Sequence, residues 1–544
     1  METAFYNGIV YTADAAVPVA QAFVVRDGTF VAVGTNSDVA ACATKVDLGG
    51  RCVIPGLVDS HCHILSGIQQ AAMNMIFLEN EILPEELGET LSEEVAPGSD
   101  GLVAAMGIDI TKGTFSARDL DGHFPDRPVM VFSFDGHALL LNTCAMQALG
   151  VDREVEDPDE NSYFVRGQDG LPTGLVIEIP AMMRCRSLMG DETEGDHGEA
   201  LEGLLQAYAS CGYTTAFDAM SADGEAAEVF PLLKEFDESG KLTMRISGSF
   251  CYHGEEYMEP EEALDYMREL RDSVRSDNLR MDTLKMIADG TVEEHSALLS
   301  EPYADQPQCR GSELTGAEDM RTMAQLAAED GFRIHIHAIG DRAVTEVLEV
   351  LGGPGRTAPT RTIAHNQIYR AEDIERIARE GDIFFQTTPH WVQFDEATVA
   401  FLGEKRAGRQ FPFGTMRRNG VAVTFGSDAC VGEPSCNAFA GMFYAAARAE
   451  DPERFGCFPP AEEGISREEA LAAYTIAGAR QLGWEKETGS ITAGKSADFV
   501  ILDRDPMTCP IAELPDTTVL ETWFRGEQVF RLDAGDDGEG KTRR

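Results

Sequence analysis

The chain has 544 residues, of which 43% are apolar and 25% charged, so its composition is that of an ordinary water-soluble protein too long for one compact core. Its 93 acidic and 44 basic residues give a formal net charge of −49, which argues against nucleic acid or an anionic membrane as a partner. No apolar stretch reaches the roughly 18 residues of a membrane span, and Met1–Phe5 lacks the pattern of a secretion signal. The twelve cysteines show no framework spacing, as is usual for reduced thiols. A cytoplasmic location is therefore expected.

Both ends of the chain consist of short β-rich runs. Residues 1–55 contain such runs, punctuated by Asn7-Gly8 and Asp27-Gly28, dipeptides that are typical of tight hairpin turns. We therefore predict hairpins there. Residues 486–531 return to the same style, and together with residues 1–55 they predict one small β-sandwich domain. The polar, glycine-containing residues 532–544 are expected to form a mobile tail.

The middle of the chain, residues 56–485, alternates apolar runs with helical patterns, which favours a parallel sheet. Eight runs fit a (β/α)8 TIM barrel, so the predicted fold class is α/β. Residues 70–205 exceed what the barrel needs, and we expect them to form an ordered subdomain inserted after the first barrel strand. The predicted barrel strands cover residues 57–63, 213–218, 243–249, 282–288, 333–338, 361–366, 382–388 and 421–428.

The first predicted barrel strand ends in His61-Cys62-His63. On a strand, residues i and i+2 point to the same side, so both imidazoles could reach one metal ion. Such a pair also occurs by chance. Four later runs, however, end in a further potential ligand, and in a parallel barrel the strands all end at one face. These further residues are Lys285, His337, His365 and Asp428.

Four stretches of the sequence together resemble the amidohydrolase superfamily, and within it amidohydrolase family 3, the branch that includes N-substituted formamide deformylase. They are GGRCVIPGLVDSHCHI at the start of the barrel, HAIGDRAV at His337–Val344, GSDAC at Gly426–Cys430, and AAYTIAGARQLGWEKETGSITAGKSADFVILDRDP near the end. The resemblance extends from residue 1 to about residue 530. Motifs that recur in the same order are far more specific than any one of them.

The resemblance implies a site for one or two divalent metal ions, with zinc suited to neutral imidazoles. The implied ligands are His61, His63, Lys285, His337, His365 and Asp428. As an ammonium, Lys285 would repel a cation, but in the family the equivalent lysine is carboxylated at its side-chain nitrogen and bridges two metals. The alternative is an ordinary strand-end lysine paired with an acid such as Asp282 or Asp289. His335, which faces the same side as His337, is expected to form a hydrogen bond within the barrel.

A site of this kind would hydrolyse a C–N bond. Metal binding lowers the pKa of water to about 7, so hydroxide can attack a carbonyl carbon at neutral pH. Asp428 would act as general base and then protonate the leaving nitrogen. The expected substrate is a small-molecule amide, such as an N-substituted formamide or an N-acyl amine. Ester or lactone hydrolysis and deamination would suit the same ligands, whereas a catalytically silent regulatory or scaffold protein would be expected to lack ligands.

The expected substrate-binding residues are His137, His390 and Trp391. His137 lies in DGHALLLNT, Asp135–Thr143, which resembles a family motif that lies over the active site; a structural hydrogen bond is the alternative role. His390 and Trp391 follow the seventh predicted strand. Aromatic residues around the pocket, with Phe394 among them, hint at an apolar or aromatic N-substituent, although such residues serve packing as often. Because similar folds commonly form homodimers, a homodimer is possible.

Overall fold

The computed structural model describes residues 2–39, 42, 44–72, 75–78, 81–96, 101–134, 136–158, 162–189, 197–219, 225–255, 257–392, 396–429, 436–451 and 460–532. The predicted mobile tail, from residue 533 onward, lies outside these residues, as does the predicted pocket residue Phe394. Asp135 and Cys430, at the ends of two family motifs, also lie outside them.

Within the described residues the strands form four sheets. In chain order they are β1 (Glu2–Tyr6), β2 (Ile9–Tyr11), β3 (Val19–Ala20), β4 (Ala22–Arg26), β5 (Thr29–Gly34), β6 (Thr44–Asp47), β7 (Cys52–Pro55), β8 (Leu57–Cys62), β9 (Ile76–Phe77), β10 (Val103–Ile108), β11 (Val129–Ser133), β12 (Ala138–Leu141), β13 (Tyr163–Arg166), β14 (Pro172–Ile177), β15 (Tyr213–Asp218), β16 (Arg245–Tyr252), β17 (Leu279–Ile287), β18 (Arg333–Ala338), β19 (Arg361–His365), β20 (Ile383–Thr387), β21 (Ala422–Phe425), β22 (Phe499–Leu502), β23 (Val519–Phe524) and β24 (Glu527–Arg531).

Some of the helices begin at a residue whose side chain caps them. Asn437 accepts hydrogen bonds from the first backbone N–H groups of one helix, and Ser466 and Glu469 form a capping box on another. Among the described helices, none is both long enough and apolar enough to cross a bilayer. The helices are α1 (Ile64–Ala72), α2 (Pro84–Glu94), α3 (Arg118–Asp121), α4 (Thr143–Leu149), α5 (Ile179–Met183), α6 (His197–Ser210), α7 (Glu225–Glu238), α8 (Pro260–Val274), α9 (Ala317–Glu329), α10 (Asp341–Gly352), α11 (Ala371–Glu380), α12 (Glu396–Leu402), α13 (Glu404–Ala407), α14 (Phe413–Arg418), α15 (Ala438–Glu450), α16 (Arg467–Ala473) and α17 (Ile476–Gln481).

The central element is an eight-stranded parallel sheet with the order β8, β15, β16, β17, β18, β19, β20, β21. Strands β8, β15 and β20 of this sheet are buried along their whole length, as expected when both faces of a parallel sheet are covered. Its two edges meet where Ser60 Oγ donates to the Phe425 carbonyl at 2.7 Å and Asp428 N–H donates to the His61 carbonyl at 2.8 Å. The predicted α/β TIM barrel is confirmed, and each predicted strand agrees with the observed one to within three residues at either end.

Both chain ends contribute to the small β-sandwich. One sheet has the order β5, β4, β1, β6, and the other, β24, β23, β22, β7, β2, β3, combines N-terminal and C-terminal strands. An aromatic core fills the space between them. Phe5 stacks on Phe23 at 4.9 Å between ring centroids, and Phe499 stacks on Trp523 at 5.3 Å. The residue boundaries of the predicted domains stay a prediction.

The two predicted hairpins have different outcomes. Asp27 and Gly28 both have positive φ, 49° and 75°, and they join the antiparallel strands β4 and β5. The hairpin predicted at Asn7-Gly8 is wrong, because β1 pairs with β4 and β6 whereas β2 pairs with β3 and β7. Within that dipeptide only Asn7 has positive φ, so it carries the chain from one sheet to the other. Gly8 lies in a tightly packed position, where a Cβ would displace the flexible end of Leu48, 2.5 Å away at Cδ1.

The insertion between β8 and β15 is built on a six-stranded mixed sheet with the order β13, β14, β12, β11, β10, β9. Its two faces bury different side chains: Val129 and Val131 pack with α2 and α3, while Met130 packs with α4 and α5. This alternation follows from the two-residue period of a strand. The next helix, α6, buries Leu201 and Tyr208 in the barrel core. The insertion sheet brings the start of β12 and the end of β14 to the barrel.

Candidate metal centre

Asp428 lies at the centre of a group of imidazoles at the carboxyl ends of the barrel strands. Its Oδ1 is 3.2 Å from His61 Nε2 and 3.0 Å from His63 Nε2, and its Oδ2 is 3.4 Å from His365 Nδ1. His61, His365 and Asp428 offer ligand atoms that all lie within 4.8 Å of one another. The two imidazoles of the His-x-His pair therefore do reach one point, as their spacing predicts.

The backbone at two of these positions is unusual. His365, the last residue of β19, has a φ of 73°, and Asp428, three residues beyond β21, has a φ of 53°. Residues with a Cβ rarely adopt this left-handed region, and such strain is concentrated at functional sites. Both side chains are turned towards the same group at the end of their strands.

His337 and Lys285 adjoin this group. The ring of His337 lies 4.4 Å from that of His365, centroid to centroid. Lys285, on β17, is buried and forms no hydrogen bond or ion pair with any residue that the structure describes. Its predicted alternative partners are engaged elsewhere: Asp282 pairs with Arg333, and Asp289 accepts N–H bonds from three backbone groups. The ordinary pairing of Lys285 with Asp282 or Asp289 is therefore wrong.

Burial sets the protonation of the group. It lowers the pKa of His61 to about 4, and it holds the pKa values of His337 and His365 well below the usual range. Burial also lowers the pKa of Lys285 to about 8. Burial alone would raise the pKa of Asp428, but His61 and His365, together with hydrogen bonds from His61 and His63, lower it well below its usual range. Neutral imidazoles beside a carboxylate are the donors that a zinc-like ion requires, so the residues fit such an ion.

Further polar residues hold these side chains in place. His61 Nδ1 lies 3.0 Å from Gln386 Oε1 and 2.9 Å from His335 Nε2, so the hydrogen bond expected of His335 is present. With an ion bound, His61 would instead carry its proton on Nδ1, donated to Gln386, and the lone pair of Nε2 would bind the metal in place of the contact with Asp428. Asp59 accepts hydrogen bonds from Ser427 N–H at 3.0 Å and Ser427 Oγ at 2.6 Å. Sequence reasoning missed Gln386 and Asp59, although both are polar residues inside apolar strands.

Two of the predicted substrate-binding residues lie against this group. Trp391 stacks on His365, with 5.4 Å between ring centroids and 22° between planes. The His137 ring lies 5.8 Å from that of His337, and its Nδ1 is 2.9 Å from Glu178 Oε2. The structural hydrogen bond considered for His137 is thus present. It holds the ring beside His337 and the group around Asp428.

His390, the third predicted residue, is held by α15. Its Nε2 donates to the Asn437 carbonyl at 3.0 Å, and its ring lies 5.6 Å from that of Tyr444. Burial lowers the pKa of His390 to about 4. The roles of His137, His390 and Trp391 in binding substrate stay predictions.

Known proteins share this architecture and sequence pattern. The family model described as "Amidohydrolase family" matches residues 44–530. This chain belongs to the amidohydrolase family. The resemblance drawn from its motifs is thus confirmed, and the chain is a hydrolase of that family.

Proteins with curated descriptions are similar to this one over most of the chain. The exoenzymes regulatory protein AepA of Pectobacterium carotovorum subsp. carotovorum is 28% identical over 439 residues, covering 78% of this chain and 93% of that protein. The N-substituted formamide deformylase of Arthrobacter pascens is 26% identical over 559 residues, covering 96% of both chains. An uncharacterized metal-dependent hydrolase from Pyrococcus furiosus has the same fold, with a TM-score of 0.70 and 24% identity over 93% of this chain and 100% of that one.

Proposed function

We propose that this amidohydrolase hydrolyses the amide C–N bond of a small molecule, such as an N-substituted formamide or an N-acyl amine, rather than a peptide bond. The observation that carries the proposal is the convergence of three imidazole nitrogens on the two oxygens of Asp428, at 3.0 to 3.4 Å. The similarity to an N-substituted formamide deformylase along 96% of the chain supports the substrate class.

One or two divalent ions, with zinc the first choice, would be held by His61, His63, Lys285, His337, His365 and Asp428. A bound ion supplies a Lewis acid that polarises the substrate carbonyl and makes water a better nucleophile near neutral pH. An ammonium at Lys285 would oppose the ion. The amine of Lys285 is buried without a partner among the described residues, which supports its reaction with carbon dioxide. The new N–C bond and the loss of one proton convert the amine into an anionic carbamate.

Asp428 would move the proton. One of its oxygens takes a proton from the water that attacks the carbonyl carbon, and it then delivers that proton to the leaving nitrogen. Its pKa lies well below the usual range, so the group is ionised near neutral pH and an oxygen is available to accept that proton. His137, His390 and Trp391 would bind the substrate, with the Trp391 ring covering His365.

Metal content per chain tests the proposal first. Protein purified without chelators is analysed by elemental analysis beside Lys285→Ala, with the exposed Lys241→Ala as matched control. We expect one or two zinc-like ions per chain, fewer in Lys285→Ala, and no change in Lys241→Ala. Chelated protein reloaded with Zn²⁺ should also take up more metal when bicarbonate is added, but not in Lys285→Ala. Metal uptake that is independent of both Lys285 and bicarbonate would exclude the carbamate.

A substrate panel tests the reaction. N-substituted formamides and N-acyl amines are incubated with the protein and the released amine is measured, beside esters, lactones and adenine nucleosides. We expect turnover of an amide that is lost in Asp428→Asn. Ammonia release from the nucleosides would instead assign a deaminase, and cleavage of esters or lactones alone would assign that chemistry. A metal-free protein with no turnover would favour the regulatory alternative.

The expected partners are the small-molecule substrate and a second copy of the chain. The net charge of −49 supports the exclusion of nucleic acid and of anionic membranes. We propose a cytoplasmic protein, and sedimentation velocity distinguishes a homodimer from a monomer.

A further inference from the structure

Glu178 is a fully buried carboxylate where the insertion meets the barrel. It follows β14, and its Oε2 lies 2.9 Å from His137 Nδ1, while its Oε1 accepts a hydrogen bond from Ser296 Oγ in the segment that follows β17. The backbone N–H of Glu178 also donates to the His137 carbonyl at 2.9 Å. One acidic side chain therefore joins an insertion residue to a barrel segment.

The backbone makes two adjustments to keep this carboxylate. Glu178 has φ 67° and ψ 153°, a conformation that is nearly exclusive to glycine, yet the position carries a long acidic side chain. On the facing segment, a Cβ at position 290 would lie 2.1 Å from Glu178 Oε1, so Gly290 leaves room for the oxygen. The strained backbone of Glu178 and the absence of a side chain at Gly290 therefore both allow the Glu178 carboxylate to occupy this position.

The hydrogen bond determines which nitrogen of His137 carries a proton. Because a carboxylate oxygen accepts a hydrogen bond, Nδ1 of His137 donates to Glu178 Oε2, and this contact fixes the tautomer and the orientation of the ring. The ring itself lies 5.8 Å from the ring of His337, one of the proposed metal ligands. The pair is thus a carboxylate that orients an imidazole beside the metal centre.

We propose that Glu178 is a positioning residue that acts through His137, holding its imidazole ring beside the proposed metal centre to contact the polar amide group of the substrate. Through Ser296 the same carboxylate fixes the insertion to the segment after β17, so that insertion and barrel complete one site. This inference rests on the proposed amide hydrolysis for its substrate, but the three residues that it joins, Glu178, His137 and Ser296, are not among the proposed metal ligands.

A double-mutant cycle tests it. Glu178→Gln keeps the shape of the side chain and removes its charge, and it is compared in the wild-type and His137→Ala backgrounds. We expect kcat/KM for the formamide turned over by the wild type to fall about tenfold or more in Glu178→Gln, as for other outer-shell partners. In the His137→Ala background the same change should cost less than about threefold, because the two residues act as one unit. The pH profile of kcat/KM should change in both single variants.

Two controls separate this role from a merely structural one. Asp305→Asn removes the carboxylate from another imidazole pair, in which His295 Nε2 lies 2.9 Å from Asp305 Oδ2, and it should leave kcat/KM unchanged. The metal content and melting temperature of Glu178→Gln should match those of the wild type. Additive losses in the cycle, or a loss of metal in Glu178→Gln, would overturn the inference.

Binding of acetohydroxamic acid, a small carbonyl compound that coordinates metals, provides a readout that needs no turnover. Calorimetric titration of the zinc-loaded protein should give about tenfold weaker binding in Glu178→Gln, and only when His137 is present. Equal binding in wild type and Glu178→Gln contradicts the positioning role. If the cycle shows this coupling while no amide is hydrolysed, the positioning role stands and the proposed reaction fails.

Discussion

Acidification of the chelated protein should destabilise it steeply, because five imidazoles are buried in their neutral form. Burial lowers the pKa of each in the folded state, whereas an unfolded histidine has a pKa of about 6.5. Unfolding below that pH therefore takes up protons. Stability from these groups is present above about pH 6.5 and is lost as the pH falls towards their folded pKa values. The residues are His61, His335, His337, His365 and His390.

Two buried carboxyl groups act in the opposite direction. Burial raises the pKa values of Asp59 and Asp289 to about 7 in the folded chain, against about 3.9 when unfolded. Their contribution is present below about pH 4 and is lost as the pH rises towards 7. Near pH 5, five protons taken up and two released leave a net uptake of about three, so the free energy of unfolding should change by about 4 kcal/mol per pH unit.

The assay is urea denaturation in the presence of a chelator, followed by circular dichroism between pH 6.5 and 5. The midpoint urea concentration should fall at each step towards acid. In His390→Gln the free energy of unfolding should depend less steeply on pH. The change corresponds to about one proton, roughly 1.4 kcal/mol per pH unit, because His390 is buried outside the proposed ligand set. A midpoint that stays constant or rises on acidification would refute the reasoning, since it would mean that the folded imidazoles are already protonated.

Three further predictions concern the surroundings of His61 and the core of the β-sandwich. In Gly426→Ala the new Cβ would lie 2.5 Å from the His61 backbone nitrogen, so metal content per chain should fall, whereas Gly203→Ala, with nothing within 4 Å, should keep it. Gln386→Ala removes the acceptor 3.0 Å from His61 Nδ1 and should weaken zinc affinity by about tenfold to a hundredfold in a competitive chelator titration; unchanged affinity would argue against its role. Phe23→Ala should cost about 3–5 kcal/mol in urea denaturation, and metal content that fell with it would contradict a separate sandwich core.

The sequence was most informative where one physical rule decides the outcome. A strand of a parallel barrel must be an apolar run, and its ligand must stand at the carboxyl end, so both strand positions and the convergence on Asp428 could be predicted. The prediction of a hairpin at Asn7-Gly8 was wrong because a turn dipeptide indicates only that the local backbone can turn. Whether β1 then pairs with β2 depends on which sheet each joins, and here Phe5 and Val53 pack from opposite sheets into one core.

Glu178 could not have been identified as a site residue from the sequence. Its signal in the sequence is a lone acid in the apolar run Leu175–Ile179, which on period alone indicates an exposed strand position. Its partners lie 41 and 118 residues away along the chain, so no local pattern could identify them. The fold supplies what the pattern lacks, because β12 and β14 are antiparallel neighbours and place His137 beside Glu178. The barrel determines where the proposed metal ligands converge, and the insertion determines which imidazole lies next to them. Sequence differences in the insertion are therefore expected to change the substrate without changing a proposed ligand.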